Sequence, residues 1–297
     1  MLSLLPVELL YEIQLYALSS DLPLTCRRLY DVYKSASNYF QAQYIFYHAL
    51  TDHRTNTCRL IPPSKPEGKP QLPSDVYSRV LRYPLCSLPV LHHIVNYFKN
   101  YSYDHLLIGT NTPELPRRLF RNLQLPPKIL KSTSNTEDPF GWSVEHDPLP
   151  FLQVIYGEPP SSYQPLSLPL PPPNPNSHSG YALTKAVQLS FVPLVSFLLS
   201  RGALPSCKDG LTMMVAIRQK DLGMVKTLVE RTDYSSFASG NGSTKRRRLP
   251  DRLTVTAPML RMAVKVGAQD IIDYFMTEKR VIPDIKTLYL LQNAGKP

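Results

Sequence analysis

Leu183-Thr184-Lys185-Ala186-Val187, followed by Phe191-Val192-Pro193-Leu194-Val195-Ser196-Phe197-Leu198-Leu199, is the stretch from which the fold is read. Its pattern recurs. When Ala186, Ala216 and Ala263 are aligned, Leu183, Met213 and Leu260 stand three residues before, Val195, Val225 and Ile272 nine after, and Leu198, Leu228 and Phe275 twelve after. Matched apolar positions in three copies are the signature of stacked structural units. Each copy reads as a short helix bearing the small alanine, a tight turn, and a second helix bearing larger apolar residues. An alanine at the crossing lets paired helices approach closely, because interaxial distance follows the side chains at the contact. A solenoid of helix pairs and an irregular helical bundle are the two architectures this spacing allows.

The first two copies lie thirty residues apart and the next two forty-seven. The excess is the stretch 234–253, which carries the dense basic run Lys245, Arg246, Arg247 and Arg248 with Arg252 close behind. An insertion between stacked units must leave at the surface. Gly202 is placed to supply a left-handed C-cap after the first pair, and Gly210, after Asp209, a turn. These features, with Gly202-Ala203 ending a pair, resemble ankyrin repeats. The Thr-Pro-Leu-His tetrapeptide of that family is replaced by Tyr181-Ala182-Leu183-Thr184 and Pro258-Met259-Leu260-Arg261. The resemblance implies a protein-binding array over residues 180–297. Pro283-Asp284, then Ile285, Leu288 and Leu291, reads as a closing helix over the last unit.

Toward the N-terminus, residues 125–179 read as a Pro-rich loop region, with Leu168-Pro169-Leu170-Pro171-Pro172-Pro173 set to populate polyproline II, as a spacer or an SH3- or WW-type ligand. Trp142 and the run from Phe151 to Tyr156 are expected to pin this loop to the body. Residues 74–124 read as short helices. Ser87 N-caps one whose face is Leu91, Ile94, Val95 and Phe98. Another is expected after Pro113, with Leu115, Leu119 and Leu123 on one side and Arg117, Arg118 and Arg121 facing water. His92 and His93 point about 100° apart on a helix and have no partner ligand three or four residues away, so no metal site is expected. Residues 49–73, with Ile61-Pro62-Pro63-Ser64-Lys65-Pro66, form a Pro-rich linker.

At the head, Leu4-Leu5-Pro6-Val7-Glu8-Leu9-Leu10-Tyr11-Glu12-Ile13 reads as a short helix started by Pro6, with Glu8 in the first turn and an apolar face of Leu9, Leu10, Ile13 and Ala17. Leu22, Cys26, Leu29, Tyr33 and Ala36 form a second helical stripe behind the N-cap oxygens of Ser19, Ser20 and Asp21. An N-terminal helical hairpin capping a larger domain would have this form. The order Leu-Pro-x-Glu-Leu-Leu-x-x-Ile, then Leu24-Thr25-Cys26-Arg27-Arg28-Leu29-Tyr30, also resembles the F-box, over residues 1–48. A tryptophan common in the second helix of F-boxes is absent here. The resemblance implies docking of a Skp-type adaptor, and through it a cullin ubiquitin ligase, by Pro6, Leu9, Leu10, Ile13, Leu24 and Leu29.

Composition agrees with a helical chain. Thirty prolines against twelve glycines in 297 residues place Pro at helix starts and in stiff connections, and alternating β-branched runs are scarce, so the expected class is all-α. Four scattered cysteines argue against a disulfide framework and for a reducing compartment. The interrupted N-terminus does not read as a signal peptide. No nucleophile elbow, phosphate loop or zinc-protease motif occurs, so neither an enzyme nor a cofactor is expected. The net charge of +10 is largely dispersed, and no aromatics interleave the arginines of the basic run, so nucleic-acid stacking is not expected. The expected function is therefore a substrate-recruiting receptor, cytoplasmic, nuclear or both; the alternative is an ankyrin-type scaffold without a ligase. The basic run has the form of an import signal. Replacing Lys245, Arg246, Arg247 and Arg248 by Ala is expected to move a fluorescently tagged protein from nucleus to cytoplasm, as read by microscopy.

Overall fold

The computed structural model describes residues 5–19, 22, 25–50, 73–100, 112–123, 148–158, 172–231 and 250–294. Among them the fold is all-α: thirteen α-helices and no strand. None of the described helices is long and apolar enough to cross a membrane. The described residues fall into two units, the first within residues 1–122 and 134–174, the second within residues 123–133 and 175–297.

In the first unit, α1 (Val7–Ala17) packs on α2 (Arg27–Ser35) through Leu10, Leu29 and Val32. The second helix begins at Arg27 rather than beside Ser20. The Thr25 N–H and hydroxyl both donate to the Leu22 carbonyl, closing a separate turn before it. The next helix, α3 (Asn38–Leu50), is buried almost all round, and α4 (Pro73–Arg82) and α5 (Leu88–Asn100) pack on it. Leu91, Ile94, Val95 and Phe98 of α5 are buried, as their spacing predicts. Phe46 of α3 stacks on Tyr97 at 5.4 Å and meets Phe98 edge-on at 5.3 Å.

The C-terminal carbonyls of these helices are closed by side chains from elsewhere. Gln41 Nε2 donates to the carbonyls of Lys34 and Ala36 at 3.2 and 3.1 Å, and Arg79 to that of Ala49 at 3.0 Å. Arg118 does the same for α4 and the loop after it, donating to Leu81 at 2.6 Å and Cys86 at 3.1 Å. This corrects the expected solvent-facing arginine. Pro116 breaks the expected helix, leaving extended backbone and one 3-10 turn (Arg117–Phe120), and Arg118 is swung inward onto carbonyls that water does not reach. Glu114 forms a parallel bridge with Asn174 instead of opening a helix. The expected loop anchors at 151–156 are in fact mostly helical: α6 (Leu149–Ile155) buries Phe151, Leu152, Val154 and Ile155. Trp142 lies outside the described residues.

The second unit holds three helix pairs: α7 (Ser177–Gln188) with α8 (Val192–Ser200), α9 (Cys207–Arg218) with α10 (Leu222–Val229), and α11 (Ala257–Val266) with α12 (Gln269–Asp273), the last continued by a π-turn (Tyr274–Glu278). First helices pack on first helices, α7 on α9 on α11, and second on second. All twelve aligned positions are buried, eleven fully and Ile272 at 4 % exposure. The turns repeat atom for atom. Ser190, Lys220 and Gly267 take left-handed φ of 52°, 56° and 67°. The next N–H reaches back to the alanine carbonyl: Phe191 to Ala186 at 2.9 Å, Asp221 to Ala216 at 3.4 Å, Ala268 to Ala263 at 3.1 Å. With the companion bonds from Ser190, Lys220 and Gly267 to Val187, Ile217 and Val264, each is a Schellman cap.

Gly202 has the expected positive φ, 86°. Before α7 and α9 proper come left-handed runs of three, His178, Ser179 and Gly180, then Lys208, Asp209 and Gly210. α13 (Ile285–Ala294) packs on α11, but not by the expected residues. Asp284 accepts from the Thr287 N–H and pairs with Arg261, which turns Thr287 inward and leaves Ile285 and Leu288 exposed. The chain on either side of 232–249 is joined at its base: Arg252 donates to the Thr227 and Glu230 carbonyls at 3.2 and 2.8 Å, and Lys279 pairs with Asp251 at 2.9 Å and Glu230 at 3.6 Å.

The glycines give a discriminating test. A Cβ on Gly180 would lie 2.8 Å from the Cβ of Cys207, a fixed atom of the next repeat; one on Gly210 would meet only the mobile methyl end of Met259. Both sites also carry left-handed strain of about 1–2 kcal/mol for a residue with a side chain. Urea unfolding is expected to show that Gly180→Ala loses clearly more stability than Gly210→Ala.

Candidate protein-docking surface

α1 begins where the chain leaves Pro6, whose extended backbone (ψ 152°) gives way to helix at Val7. Its apolar residues do not form one face. Leu10 and Gln14 are buried, and Gln14 Nε2 donates to the Leu29 carbonyl at 3.3 Å, joining α1 to α2. Arg28 adds a second tie, donating to the Leu5 carbonyl at 3.0 Å. Adjacent residues differ by 100° on a helix, so fixing Leu10 inward turns Leu9 outward. Leu9 is 44 % exposed and Tyr16 54 %.

The outward side is a second apolar stripe, Leu5, Leu9, Ile13, Tyr16 and Ala17, stepping by three and four residues. With Glu12 it lines an open groove of about 430 Å³. Leu9 and Tyr16 are exposed, Ile13 and Ala17 half-buried, and Leu5, also half-buried, packs in addition against the Leu10, Leu29 and Val32 cluster. An apolar groove with exposed leucine and tyrosine marks an interaction surface more often than a scattered single leucine does. The groove offers aliphatic surface, one phenol and one carboxylate. It can receive an apolar side chain or the face of a helix; it holds no nucleophile paired with a base.

The structure therefore divides the six predicted docking residues. Leu9 and Ile13 line the groove, and Pro6 is exposed at its N-terminal end. Leu10 and Leu29 form the head's own core and present nothing to a partner. Leu24 lies outside the described residues, as do Lys245, Arg246, Arg247 and Arg248. Leu5 and Tyr16 were missed although the signal was present: they extend the Leu9–Ile13 spacing by one turn in each direction.

Burial elsewhere in this unit disfavours the charged forms of two groups it encloses. The Cys86 thiol is pushed up to about 11 by desolvation, with the neighbouring Arg118 charge acting in the opposite sense. Burial likewise raises the Tyr77 hydroxyl far above its ordinary value.

Comparison of the chain with models of protein families, with curated proteins and with solved structures finds no match.

The division of α1 into two stripes is testable by stability alone. Leu10→Ala is expected to cost about 2–5 kcal/mol in urea unfolding followed by far-UV circular dichroism, as for other fully buried leucines. Leu9→Ala is expected to stay within about 0.5 kcal/mol of wild type.

Proposed function

We propose that this chain is a substrate-recruiting receptor of a Skp-cullin type ubiquitin ligase, with an F-box-like head and an ankyrin-like target-holding array. The observation that carries the reading is the exposed stripe of α1. A short helix whose inner stripe is filled by its own module still offers a second apolar stripe to the outside. The Pro-x-Glu-Leu-Leu-x-x-Ile order at the same helix is what resembles an F-box. The three helix pairs support the second half: first helices stack in one layer and second helices in another, the arrangement that gives repeat proteins an extended binding surface. The mechanism is proximity. The receptor performs no bond chemistry; by holding adaptor and target in one chain it raises the concentration of target at the ligase.

Pull-down from cells separates this from a scaffold without a ligase. The wild-type chain is expected to retain the Skp-type adaptor. Leu9→Asp/Tyr16→Asp, which places charge on the exposed stripe and leaves Leu10 intact, is expected to lose at least about ninety per cent of it, since two buried hydrocarbon contacts are replaced by desolvated carboxylates. A wild-type chain that retains no adaptor overturns the ligase reading and leaves the scaffold.

A further inference from the structure

The outward face of the first-helix layer in the second unit carries a regular chemistry that the sequence alignment does not display. On each first helix the residues at i, i+4 and i+7 share one side. These are Tyr181, Lys185 and Gln188 on α7, Leu211, Val215 and Arg218 on α9, and Pro258, Met262 and Lys265 on α11. All are half-buried or exposed, opposite the buried alanines. The N-terminal part of this face is mostly hydrocarbon. Its C-terminal edge is polar and basic: Arg218 and Lys265 occupy the same position of successive packed repeats, Lys220 stands in the turn beside them, and Lys185 lies one helical turn above Gln188. That edge is held in register, since Gln219 Nε2 donates to the Gln188 carbonyl at 2.6 Å.

Among the described residues, Lys185, Arg218, Lys220 and Lys265 make no ion pair; Lys185 donates only to the Gln188 side chain at 3.0 Å. The acidic residues lie elsewhere. Asp209 is the one carboxylate in the three first helices, at the opposite end from Arg218, whereas α12 and its π-turn hold Asp270, Asp273 and Glu278. The exception near this edge is the Asp221 carboxylate, next to Lys220 in the turn, which accepts from the Met224 N–H at 2.9 Å.

We propose that this face binds an extended acidic peptide segment in which carboxylates recur at every third residue with apolar residues between them. Stacked helices lie about 8–10 Å apart. A polyproline-II segment rises about 3.1 Å per residue with three residues per turn, so its every third side chain returns to one side after about 9 Å. The cations of the three repeats, Lys185, Arg218 with Lys220, and Lys265, then meet one carboxylate per turn, and the intervening side chains fall on Leu211, Val215 and Met262. A nucleic-acid strand fits less well. Its phosphates follow at about 3.4 Å per strand, far denser than one cation per repeat, and hydrocarbon rows flank the cations. A second copy of this chain would bring cation onto cation.

This inference rests on the reading that the helix-pair array is the target-holding part of the chain. The test uses the full chain and a fluorescein-labelled Glu-Leu-Pro repeat peptide of roughly nine residues, enough to cross three stacked helices. Anisotropy titration is expected to give saturable binding that weakens with salt, and a Lys-Leu-Pro peptide of equal length is expected not to bind. Arg218→Glu/Lys265→Glu is expected to weaken binding about tenfold or more, with the circular dichroism spectrum unchanged because both side chains are exposed. Arg218→Gln/Lys265→Gln serves if charge reversal disturbs the fold. The charge-matched Arg27→Glu/Lys34→Glu, in α2, is expected to bind as wild type. Absence of binding, equal binding by the Arg218/Lys265 variants, or tighter binding of a single-stranded oligonucleotide at the same site overturns the proposal. Leu9→Asp/Tyr16→Asp is expected to keep full peptide affinity. A wild-type chain that binds the peptide but retains no adaptor therefore sinks the ligase reading alone, and one that retains the adaptor but binds no peptide sinks only this one.

Discussion

Thirteen described helices of five to thirteen residues give this protein many helix ends, and each C-terminal end leaves carbonyls without intrahelical partners. The structure depends on how those carbonyls are satisfied. In the second unit the answer is local: three Schellman caps at equivalent positions turn each first helix into its second. In the first unit α1 and α6 also end in left-handed residues, Leu18 and Gly157, but α2, α3 and α4 are closed from elsewhere. Gln41, Arg79 and Arg118 each reach from one element to the end of another, so a helix cannot be completed without its neighbour. At these ends long donors do across a tertiary contact what left-handed caps do elsewhere in the chain.

This difference has a consequence for how the two units hold together. The repeats are bound by nearest-neighbour contacts: Thr184 to Thr212 at 2.8 Å, Asn176 to the Gly202 carbonyl and the Leu204 N–H, Gly180 against Cys207. Such stacks are stabilised pair by pair. The first unit is bound through α3, which gives one side to the head and another to α4 and α5. Tyr44 illustrates it, its hydroxyl donating to the Ser19 carbonyl at 2.7 Å while its ring meets Tyr33 edge-on at 4.9 Å. The head is thereby tied to α3 through α1 and α2, with Leu9 and Tyr16 of α1 exposed among the described residues.

The same economy explains the two surfaces. A helix of three turns packs one stripe inward, and whatever stands on its other side is free of structural demands. On α1 that side is hydrocarbon, which is costly to leave in water and is therefore informative. On α7, α9 and α11 it is hydrocarbon edged by cations that make no ion pair among the described residues.

Much of the second unit was legible in the sequence, because a repeat supplies its own controls: Ala186, Ala216 and Ala263 located the crossings, and the flanking positions are buried in all three copies. The turns were not legible. Ser190 and Lys220 adopt left-handed backbone that only Gly267 advertises, since the packed neighbours, not the residue, set φ there. At the head, spacing identified α1 as amphipathic but could not say which of two overlapping stripes faced inward, because that choice belongs to Leu29 and Val32 on another helix. Arg118 shows the limit most plainly. A sequence window sees an arginine beside other arginines and assigns it to water, whereas the tertiary structure finds unpaired carbonyls at Leu81 and Cys86. Periodicity determined which segments are helical and which positions repeat; only tertiary contact, through the need to pair every buried carbonyl, decided where those helices end and which way their side chains turn.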